Sequence, residues 1–478
     1  MLFSSTLFLF VFLPVFLGLY LALPNIRLRN ALLLVGSLFF YAWGETVYVL
    51  ILVASIGLNY VLGLWIERQR DRPAGHRALV LAVGLNLLIL TLFKYANFLI
   101  DNLNLVLGGL GVDPIVLAPV HLPLGISFFS FQAITYAVDI YRRQASAQKN
   151  PLRVALYIAL FPQLIAGPIV RYKQIAAQLQ SRTSRLEDIA EGIRRFIVGL
   201  AKKVLIANTL ALPADRIFSV PGAQLEPSVA WLGIVCFSFQ IYFDFAGYSD
   251  MAIGLGRCFG FRFPENFDWP LLSRSMREFW RRWHMTLSGF FRDYVYIPLG
   301  GNRRGGLRTG FNLVTVFFLC GLWHGASWNF VLWGLVHGAF LAAERLPLGG
   351  YIRSAPRAVQ SFYTLGVMSL AWVFFRTDDL SHANAFFAAL VGLGGLEEGG
   401  GAYPVALYLN NRVLFVLGLA SLSALPRFGR GWEALSLKAS DLGLLHETIR
   451  FAALFGALGL CAMSLAMGTY NPFIYFRF

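Results

Sequence analysis

The sequence predicts an all-α protein with many membrane-spanning helices, and its composition gives two reasons. Of the 478 residues, 57% are apolar and only 14% are charged, whereas a soluble domain carries about 25% charged residues. The 43 Phe, 19 Tyr and 11 Trp exclude disordered and coiled-coil proteins, because both are poor in aromatic residues. Apolar runs recur from Leu7 to Met467 without a long polar interval, so we expect a single membrane domain over residues 1–478.

The formal net charge of +15 raises nucleic-acid binding as an alternative. A basic surface is the usual signature of phosphate binding, but Lys and Arg also gather in the cytoplasmic loops of membrane proteins. We favour the second explanation, because basic loops here follow every second apolar run. We therefore expect the lipid bilayer, and no nucleic acid, as the environment of this chain.

The first apolar run, 5–23, is expected to stay in the protein as a helix. No basic residue precedes it and no small-residue cleavage site follows it, unlike a secretory signal peptide. Its basic flank comes afterwards, at Arg27 and Arg29, which predicts a periplasmic N-terminus. Further basic clusters at 68–77 and 142–153 fit the same orientation.

A helix needs about 20 apolar residues to cross the hydrocarbon core. Eight runs are long enough: 5–23, 47–66, 78–99, 121–141, 229–256, 358–375, 404–424 and 450–468. Four shorter runs are expected to be tilted, half-spanning or re-entrant: 30–43, 152–169, 331–343 and 383–394. Together they predict about eleven transmembrane helices. The stretch 174–208 mixes Lys and Arg with apolar residues, which predicts an amphipathic helix at the cytoplasmic interface.

The segment 262–308 carries nine Arg and four acidic residues among many aromatic ones. A lipid-facing span could not tolerate these charges, so we expect an amphipathic or re-entrant cytoplasmic element. On one helix starting after Ser273, Arg277, Arg281 and His284 share a face. The alternative is an interfacial helix whose arginines bind lipid headgroups.

His324 lies in a stretch from Thr309 to Ala343 that contains no Asp, Glu, Lys or Arg. Ionisable residues at membrane depth are costly and by default mark function, although a neutral imidazole hydrogen-bonded inside the bundle is the alternative. His337 lies 13 residues later. On a continuous helix it would face away from His324 and lie about 20 Å along the axis, so we expect it to be structural.

Asp244 and Asp250 also fall within an apolar run. Buried carboxylates need partners, and Arg257 or the arginines of 274–282 are available in the sequence. We therefore expect a structural ion-pair network, with a proton relay as the alternative.

Several strings together resemble the membrane-bound O-acyltransferase (MBOAT) family, in its bacterial alginate O-acetyltransferase branch. The strings are FDFAGYSDMAIGLG, PENFDWP, REFWRRWHMTLSGFFRDYVYIPLGGNR, GLWHGASWNFVLWG, LPLGISFFSFQAITYAVDIYR and FPQLIAGPIVRY. They place the motif-bearing core at about 120–345. The resemblance implies the MBOAT fold, in which transmembrane, re-entrant and interfacial helices surround a central tunnel.

The resemblance also implies two catalytic histidines, His324 in the W-H-G motif and His284 in the R-W-H motif. An imidazole such as His324 can take the proton of an acceptor hydroxyl. His284 would orient the donor or stabilise developing negative charge. Arg277, Arg281 and Arg282 are the expected docking charges for a polyanionic acyl donor.

The implied function is transfer of an acetyl group across the bacterial inner membrane to an exported polysaccharide such as alginate. Acetyl-coenzyme A or another cytoplasmic acyl thioester is the expected donor, and a periplasmic acetyltransferase or the polysaccharide is the expected acceptor. We expect no permanently bound cofactor and no metal. The alternatives are a D-alanyl transferase acting with a carrier protein on teichoic acid, and a transporter or flippase without chemistry. The lack of internal repeats weighs against a transporter.

Overall fold

The computed structural model describes residues 1–393, 403–426, 428 and 444–472. All regular elements among these residues are helices, which confirms the all-α class. The chain divides into two compact units, and each is described by itself. Unit 1 comprises Met1–Ala190 and Leu255–Pro264, and unit 2 comprises Glu191–Gly254 and Glu265–Phe478. The single domain expected from the sequence stays a prediction.

Unit 1 begins with a π-helical turn at Phe8–Phe12 and then contains nine α-helices. They are α1 (Leu13–Ala22), α2 (Ile26–Ala42), α3 (Val49–Gln69), α4 (Pro73–Lys94), α5 (Ala96–Gly109), α6 (Ile126–Tyr141), α7 (Pro151–Ala159), α8 (Phe161–Leu164) and α9 (Tyr172–Gln180). Helices α3, α4 and α6 pack against one another. Asn59 of α3 and Asn86 of α4 exchange side-chain hydrogen bonds of 2.8 and 3.1 Å, which satisfies two buried amides between apolar helices.

Unit 2 holds most of the remaining helices. After α10 (Leu186–Ala201) these are α11 (Asn208–Phe218), α12 (Pro227–Cys258), α13 (Met276–Arg282), α14 (Met285–Phe291), α15 (Gly306–His324), α16 (Trp328–Ala343), α17 (Pro347–Ser354), α18 (Arg357–Arg376), α19 (Leu380–Leu390), α20 (Asn411–Ser423) and α21 (Leu444–Ala466). A π-helical stretch, Lys202–Ala207, joins α10 to α11, and another, Arg292–Tyr296, extends α14.

Helix starts follow from local sequence. The side chains of Asn25, Asn150 and Asn410 accept hydrogen bonds from the first turns of α2, α7 and α20. Such a side chain replaces one of the backbone partners that a helix lacks at its N-terminus. Proline opens α4 and α7 at Pro73 and Pro151, where its missing N–H costs nothing.

Large apolar side chains on the outside of many helices indicate contact with lipid. Leu105 is 76% exposed, Phe415 71% and Phe455 68%, which in water would create an aggregating surface. Among the described residues, seven helices are long and apolar enough to cross a membrane, and three shorter apolar helices accompany them. The chain is a multi-pass membrane protein.

Five of the eight predicted long spans appear among these seven helices, namely α3, α4, α12, α18 and the part Glu447–Ala466 of α21. The runs at 5–23, 121–141 and 404–424 form shorter helices. The expected total of about eleven spans is not confirmed. The apolar runs overestimate the lengths of these three helices, because they also include apolar residues that lie in the adjoining loops and caps.

The prediction of one interfacial helix over 174–208 is wrong in its extent. Helix α9 ends at Gln180, and a new helix starts at Leu186 and continues to Phe218, long and apolar enough to span. Lys202 and Lys203 are directed into the protein, where they pair with Asp250 and Asp244. Their charges are therefore neutralised internally and do not mark a membrane surface.

Helices α15 and α16 form an antiparallel hairpin with very close backbones. A Cβ atom on Gly321 would lie 2.2 Å from the carbonyl oxygen of Phe330, and one on Gly334 would lie 2.2 Å from that of Phe317. Small residues permit this approach between membrane helices. The hairpin carries His324 at its turn, so its packing positions that side chain.

Replacing Gly334 by Ala should destabilise the protein, because the added methyl group must push α16 away from α15. We expect a loss of about 1–3 kcal/mol, measured as a lower midpoint of thermal unfolding in detergent. Gly366→Ala in α18 is the matched control, because a Cβ there meets no atom within 4 Å. Equal midpoints for the two variants would contradict the close packing.

Candidate active site

The chain breaks its helix at His284, and the predicted continuous helix after Ser273 is therefore wrong. Helix α13 ends at Arg282, His284 has left-handed backbone angles (φ 43°, ψ 52°), and α14 starts at Met285. The segment 265–269 replaces the missing helical hydrogen bonds. The N–H of Asp268 donates to the carbonyl of Arg282, and the N–H of Met285 donates to the carbonyl of Asn266, both at 2.9 Å.

Asn266 fixes the tautomer of His284. The backbone N–H of Thr286 can only donate, and its acceptor is Asn266 Oδ1 at 3.3 Å. The same oxygen lies 3.1 Å from His284 Nδ1, while Asn266 Nδ2 donates to Ser249 Oγ at 3.0 Å. His284 Nδ1 must therefore carry the proton, which leaves the lone pair on Nε2.

The His284 ring is fully buried, and burial lowers its pKa to about 3. The folded protein therefore holds it neutral at ordinary pH. Its Nε2 atom is buried and has no hydrogen-bond partner among the described residues. In this tautomer Nε2 can accept a hydrogen bond but cannot donate one, which argues against the expected stabilisation of negative charge by a neutral His284.

His324 ends α15 and is enclosed by aromatic rings. The ring centroids of Trp323, Trp333 and Phe375 lie 4.8, 4.8 and 5.2 Å from its own, all nearly edge-on. Trp323 also lies 6.0 Å from the ring of His284. The two motif histidines thus share one tryptophan as a neighbour.

The prediction that His337 faces away from His324 assumed one continuous helix, and that assumption is wrong. The helix does not continue past His324, because the chain turns at 325–327 and returns as α16. His337 therefore lies near the site, with its ring 4.5 Å from that of Trp333 and 5.2 Å from that of Trp280. Three histidines and three tryptophans form one series of neighbouring rings, in the order His284, Trp323, His324, Trp333, His337 and Trp280.

Trp280 also lines a cavity of about 380 Å³, which we call the arginine cavity. Its lining includes the sequence-predicted Arg277 and Arg281, together with Arg292 and Arg345. Most of the other lining residues are apolar and come from α14, α15 and α16: Leu287, Phe291, Leu313, Val316, Phe317, Cys320 and Leu341. The arrangement offers cations beside an apolar wall, which suits a ligand with an anionic part and an apolar part.

Glu344 holds the start of α13 against the end of α16. Its carboxylate accepts hydrogen bonds from the backbone N–H groups of Met276 (2.6 Å) and Arg277 (3.2 Å), which are otherwise unpaired at a helix N-terminus. Arg282 lies apart from the lining of the arginine cavity and pairs with Glu278 (2.9 Å) and Asp268 (3.7 Å). Its expected role in donor binding stays a prediction.

The arginine cavity stops short of His324. Its lining on α15 ends at Cys320, one helical turn, or about 6 Å along the axis, before His324. His324 itself is surrounded by the rings of Trp323, Trp333 and Phe375 and is not part of the cavity lining. A continuous central tunnel is thus still a prediction.

The expected partners of the two buried aspartates are wrong. Asp244 pairs with Lys203 at 2.8 Å, and both side chains are 3% exposed. Asp250 pairs with Arg195 (3.0 Å) of α10 and Lys202 (2.7 Å) of the π-helical stretch after it, both within the continuous helix Leu186–Phe218. Close packing of that helix on α12 supplies these partners, so cations near in sequence to the aspartates are not needed.

Two residues of the candidate site were not singled out from the sequence, Asn266 and Glu344. Asn266 stands in the quoted string PENFDWP, but its contact with His284 depends on the fold. No group of three or more His, Cys, Asp and Glu suited to a metal ion occurs within the searched, described residues.

This geometry and the sequence comparisons define the class of protein. Residues 122–375 match the family model of MBOAT, the membrane-bound O-acyltransferase family. The match covers more than half of the chain, so the protein belongs to this family and is an acyltransferase. The histidine pair and the arginine cavity both lie within the matched residues.

Similar proteins include the probable alginate O-acetylase AlgI of Pseudomonas putida, which is 42% identical over the full length of both chains. The peptidoglycan O-acetyltransferase of Helicobacter pylori is 38% identical, with 83% of this chain and 81% of the relative covered. The teichoic acid D-alanyltransferase of Bacillus subtilis is 30% identical, with 46% of this chain and 58% of the relative covered.

Asn266→Asp should raise the pKa of His284, because a carboxylate beside the ring stabilises imidazolium. In the wild type the ring should stay neutral well below its ordinary pKa of 6.5, and in the variant it should protonate at a higher pH. Histidine ring ¹⁵N shifts across a pH titration, assigned with His284→Gln, would measure this.

The matched control is Asn312→Asp, since Asn312 is also fully buried but donates to the carbonyls of Leu299 and Gly301. The buried His284 ring should also make the wild type lose unfolding free energy as pH falls below 6.5, because the unfolded chain binds this proton and the folded protein does not; this one ring contributes up to about 1.4 kcal/mol per pH unit. An unchanged His284 titration in Asn266→Asp would contradict the assigned contact.

Proposed function

We propose that this protein transfers an acetyl group from a thioester on the cytoplasmic side to the hydroxyl of an exported polysaccharide. The observation that carries the proposal is the arrangement of the two motif histidines around Trp323, beside a cavity lined by arginines. The placement is the bacterial inner membrane, with a periplasmic N-terminus according to the positive-inside rule.

The relatives favour acetyl transfer to a polysaccharide over the D-alanyl alternative. Full-length similarity to a protein named for alginate acetylation and high coverage by one named for peptidoglycan acetylation both support it. Similarity to the D-alanyl transferase covers under half of this chain. Because the chain belongs to an acyltransferase family, we do not favour the alternative of a transporter or flippase without chemistry.

His324 acts as the general base in this proposal. Its ring takes the proton of the acceptor hydroxyl, the oxygen attacks the thioester carbonyl carbon, and the carbon–sulfur bond breaks. The thiolate leaves and takes up the proton from the imidazolium, so that an ester and a free thiol are formed. Edge-on aromatic rings around His324 exclude water, which would otherwise compete as the acceptor.

His284 orients the donor. Its free Nε2 lone pair can accept a hydrogen bond from an amide N–H, a group present in the pantetheine arm of coenzyme A and of acyl carrier proteins. Asn266 keeps the ring in the required tautomer, in the same way that a buried hydrogen bond fixes metal-binding or catalytic histidines. This role replaces the stabilisation of negative charge considered from the sequence.

The arginine cavity binds the donor. Arg277 and Arg281 would pair with phosphate groups, and the apolar wall from α15 would contact the less polar arm. Arg282, already paired with two acids, would contribute only to long-range attraction. Movement of the aromatic side chains around His324 would then admit the acyl end, a step of the kind that often limits turnover.

His324→Ala should abolish acetyl transfer by removing the base, and His324→Gln should do the same because an amide does not take up the proton. The loss should reach at least about a hundredfold. The measurement is the ester content of polymer from cells that carry each variant, with mass analysis to separate acetyl from D-alanyl groups.

His76→Ala is the control, because His76 is an exposed histidine of unit 1. Membrane insertion of all variants is checked by fluorescence-detected gel filtration. Normal acetylation in a correctly inserted His324→Ala protein would refute the proposed base.

The double variant Arg277→Gln, Arg281→Gln should raise the KM for acetyl-coenzyme A about tenfold or more, with a smaller effect on kcat. Each lost charge-assisted hydrogen bond weakens donor binding, while the reacting groups stay in place. Initial rates in nanodiscs at increasing donor concentration would give both constants, with Arg357→Gln as an exposed control. A lower kcat with an unchanged KM would contradict donor binding at this cavity.

A further inference from the structure

Arg195 of α10 joins two separate parts of the chain through one side chain. Its Nη1 and Nη2 atoms donate to the two carboxylate oxygens of Glu265, at 2.7 and 2.5 Å. Its Nε and Nη2 atoms donate to Oδ1 of Asp250, at 3.1 and 3.0 Å. A guanidinium can bridge two carboxylates in this way because its donors form a rigid planar fork.

The two bridged carboxylates stand next in sequence to two residues that already contact each other. Glu265 precedes Asn266, and Asp250 follows Ser249. Asn266 Nδ2 donates to Ser249 Oγ at 3.0 Å. These five residues therefore form a closed cycle of side-chain contacts and peptide bonds, which we call the Arg195 network. All of them belong to unit 2.

The Arg195 network surrounds Asn266 on a side where packing is incomplete. All five of its residues line one small cavity, of about 50 Å³. Asn266 is only 1% exposed, but it borders this open space. Van der Waals packing alone therefore does not hold it in place, and its attachment to Glu265 and Ser249 becomes important.

The contacts that fix the tautomer of His284 tolerate little movement of Asn266. Asn266 Oδ1 lies 3.1 Å from His284 Nδ1 and 3.3 Å from the backbone nitrogen of Thr286. Hydrogen bonds of this type extend to about 3.2 Å, so a further shift of about 0.5 Å would break both. The edge-on ring of Phe245, 4.6 Å from that of His284, offers no replacement acceptor. A neutral imidazole without this acceptor can carry its proton on either nitrogen.

We propose that Arg195 is a positioning residue, which acts through the Arg195 network to hold Asn266 against His284 and so fixes the His284 tautomer. It contacts neither His284 nor the arginine cavity; its effect passes through Glu265, Asp250 and their neighbours in sequence. The consequence for the donor rests on the proposed function, in which the Nε2 lone pair of His284 orients the thioester.

Neutralising Asp250 does not by itself explain Arg195. Lys202 Nζ already pairs with Asp250 Oδ2 at 2.7 Å, and it lies outside the cycle that contains Asn266. Removing Arg195 would leave the Asp250 charge paired, so we expect the fold to survive. Lys202→Gln is accordingly a matched control, because it also removes one cation from Asp250 but leaves the Arg195 network closed.

The test measures the His284 tautomer directly. Full-length protein with ¹⁵N-labelled histidine is studied in nanodiscs at neutral pH, where protonated and unprotonated ring nitrogens give separate signals, assigned with His284→Gln. In the wild type the proton should lie on Nδ1. In Arg195→Gln the fraction with the proton on Nε2 should rise about two- to tenfold, which is the range that one hydrogen bond contributes. Lys202→Gln should keep the wild-type tautomer.

Two further variants separate the bridge from charge and from folding. Arg195→Lys keeps the charge but lacks the fork, so it should change the tautomer as Arg195→Gln does. Glu265→Ala opens the network at a side chain that is 55% exposed, where the risk to folding is small, and should give the same change. Thermal unfolding of each variant verifies folding.

Donor kinetics provide a second measurement on the same variants. Arg195→Gln should raise the KM for acetyl-coenzyme A about two- to tenfold, with a smaller effect on kcat, because a misplaced lone pair weakens donor orientation. Lys202→Gln should leave both constants near those of the wild type.

A wild-type tautomer in folded Arg195→Gln and Glu265→Ala proteins would overturn the proposal. A tautomer change of equal size in Lys202→Gln, or its full restoration by Arg195→Lys, would overturn it as well, since charge alone would then suffice. A changed tautomer with an unchanged KM would instead refute donor orientation by His284 and leave the positioning role of Arg195 standing.

Discussion

Polar groups buried in this protein must find partners inside it, because neither lipid nor a dry core supplies them. This constraint accounts for the most informative contacts of unit 2. Lys203 neutralises Asp244 at a site where both are 3% exposed, and Arg195 and Lys202 neutralise Asp250. Removing one member of such a pair would leave a bare charge, which is far more costly than losing an exposed ion pair.

The same constraint gives the candidate site its chemistry. Where the chain leaves the helix at His284, the segment containing Asn266 supplies both backbone and side-chain hydrogen bonds. Those bonds fix a neutral imidazole with one free lone pair, so a structural requirement also sets the protonation state of a candidate site residue. Helix breaks at functional sites are common for this reason, since they release polar groups that a regular helix would use internally.

Acyl transfer across a membrane needs a donor site, a protected reaction centre and an acceptor site in sequence. The arginine cavity and the aromatic enclosure of His324 are candidates for the first two of these features, and both lie within unit 2. In the proposed mechanism the aromatic rings around His324 would both exclude water and move to admit the donor. An enzyme of this kind can keep a reactive thioester from hydrolysis while still admitting it for transfer.

The sequence alone determined the all-α membrane class, the acyltransferase family and the candidate pair His324 and His284, because composition, hydropathy and local motifs are properties of neighbouring residues. It could not determine that α13 stops before His284, since the hydrogen bonds that end it come from the segment around Asn266. Nor could it give the position of His337 or the partners of the buried aspartates. These depend on a turn that reverses the chain and on helices that meet at glycines, and such long-range contacts exist only once the chain has folded.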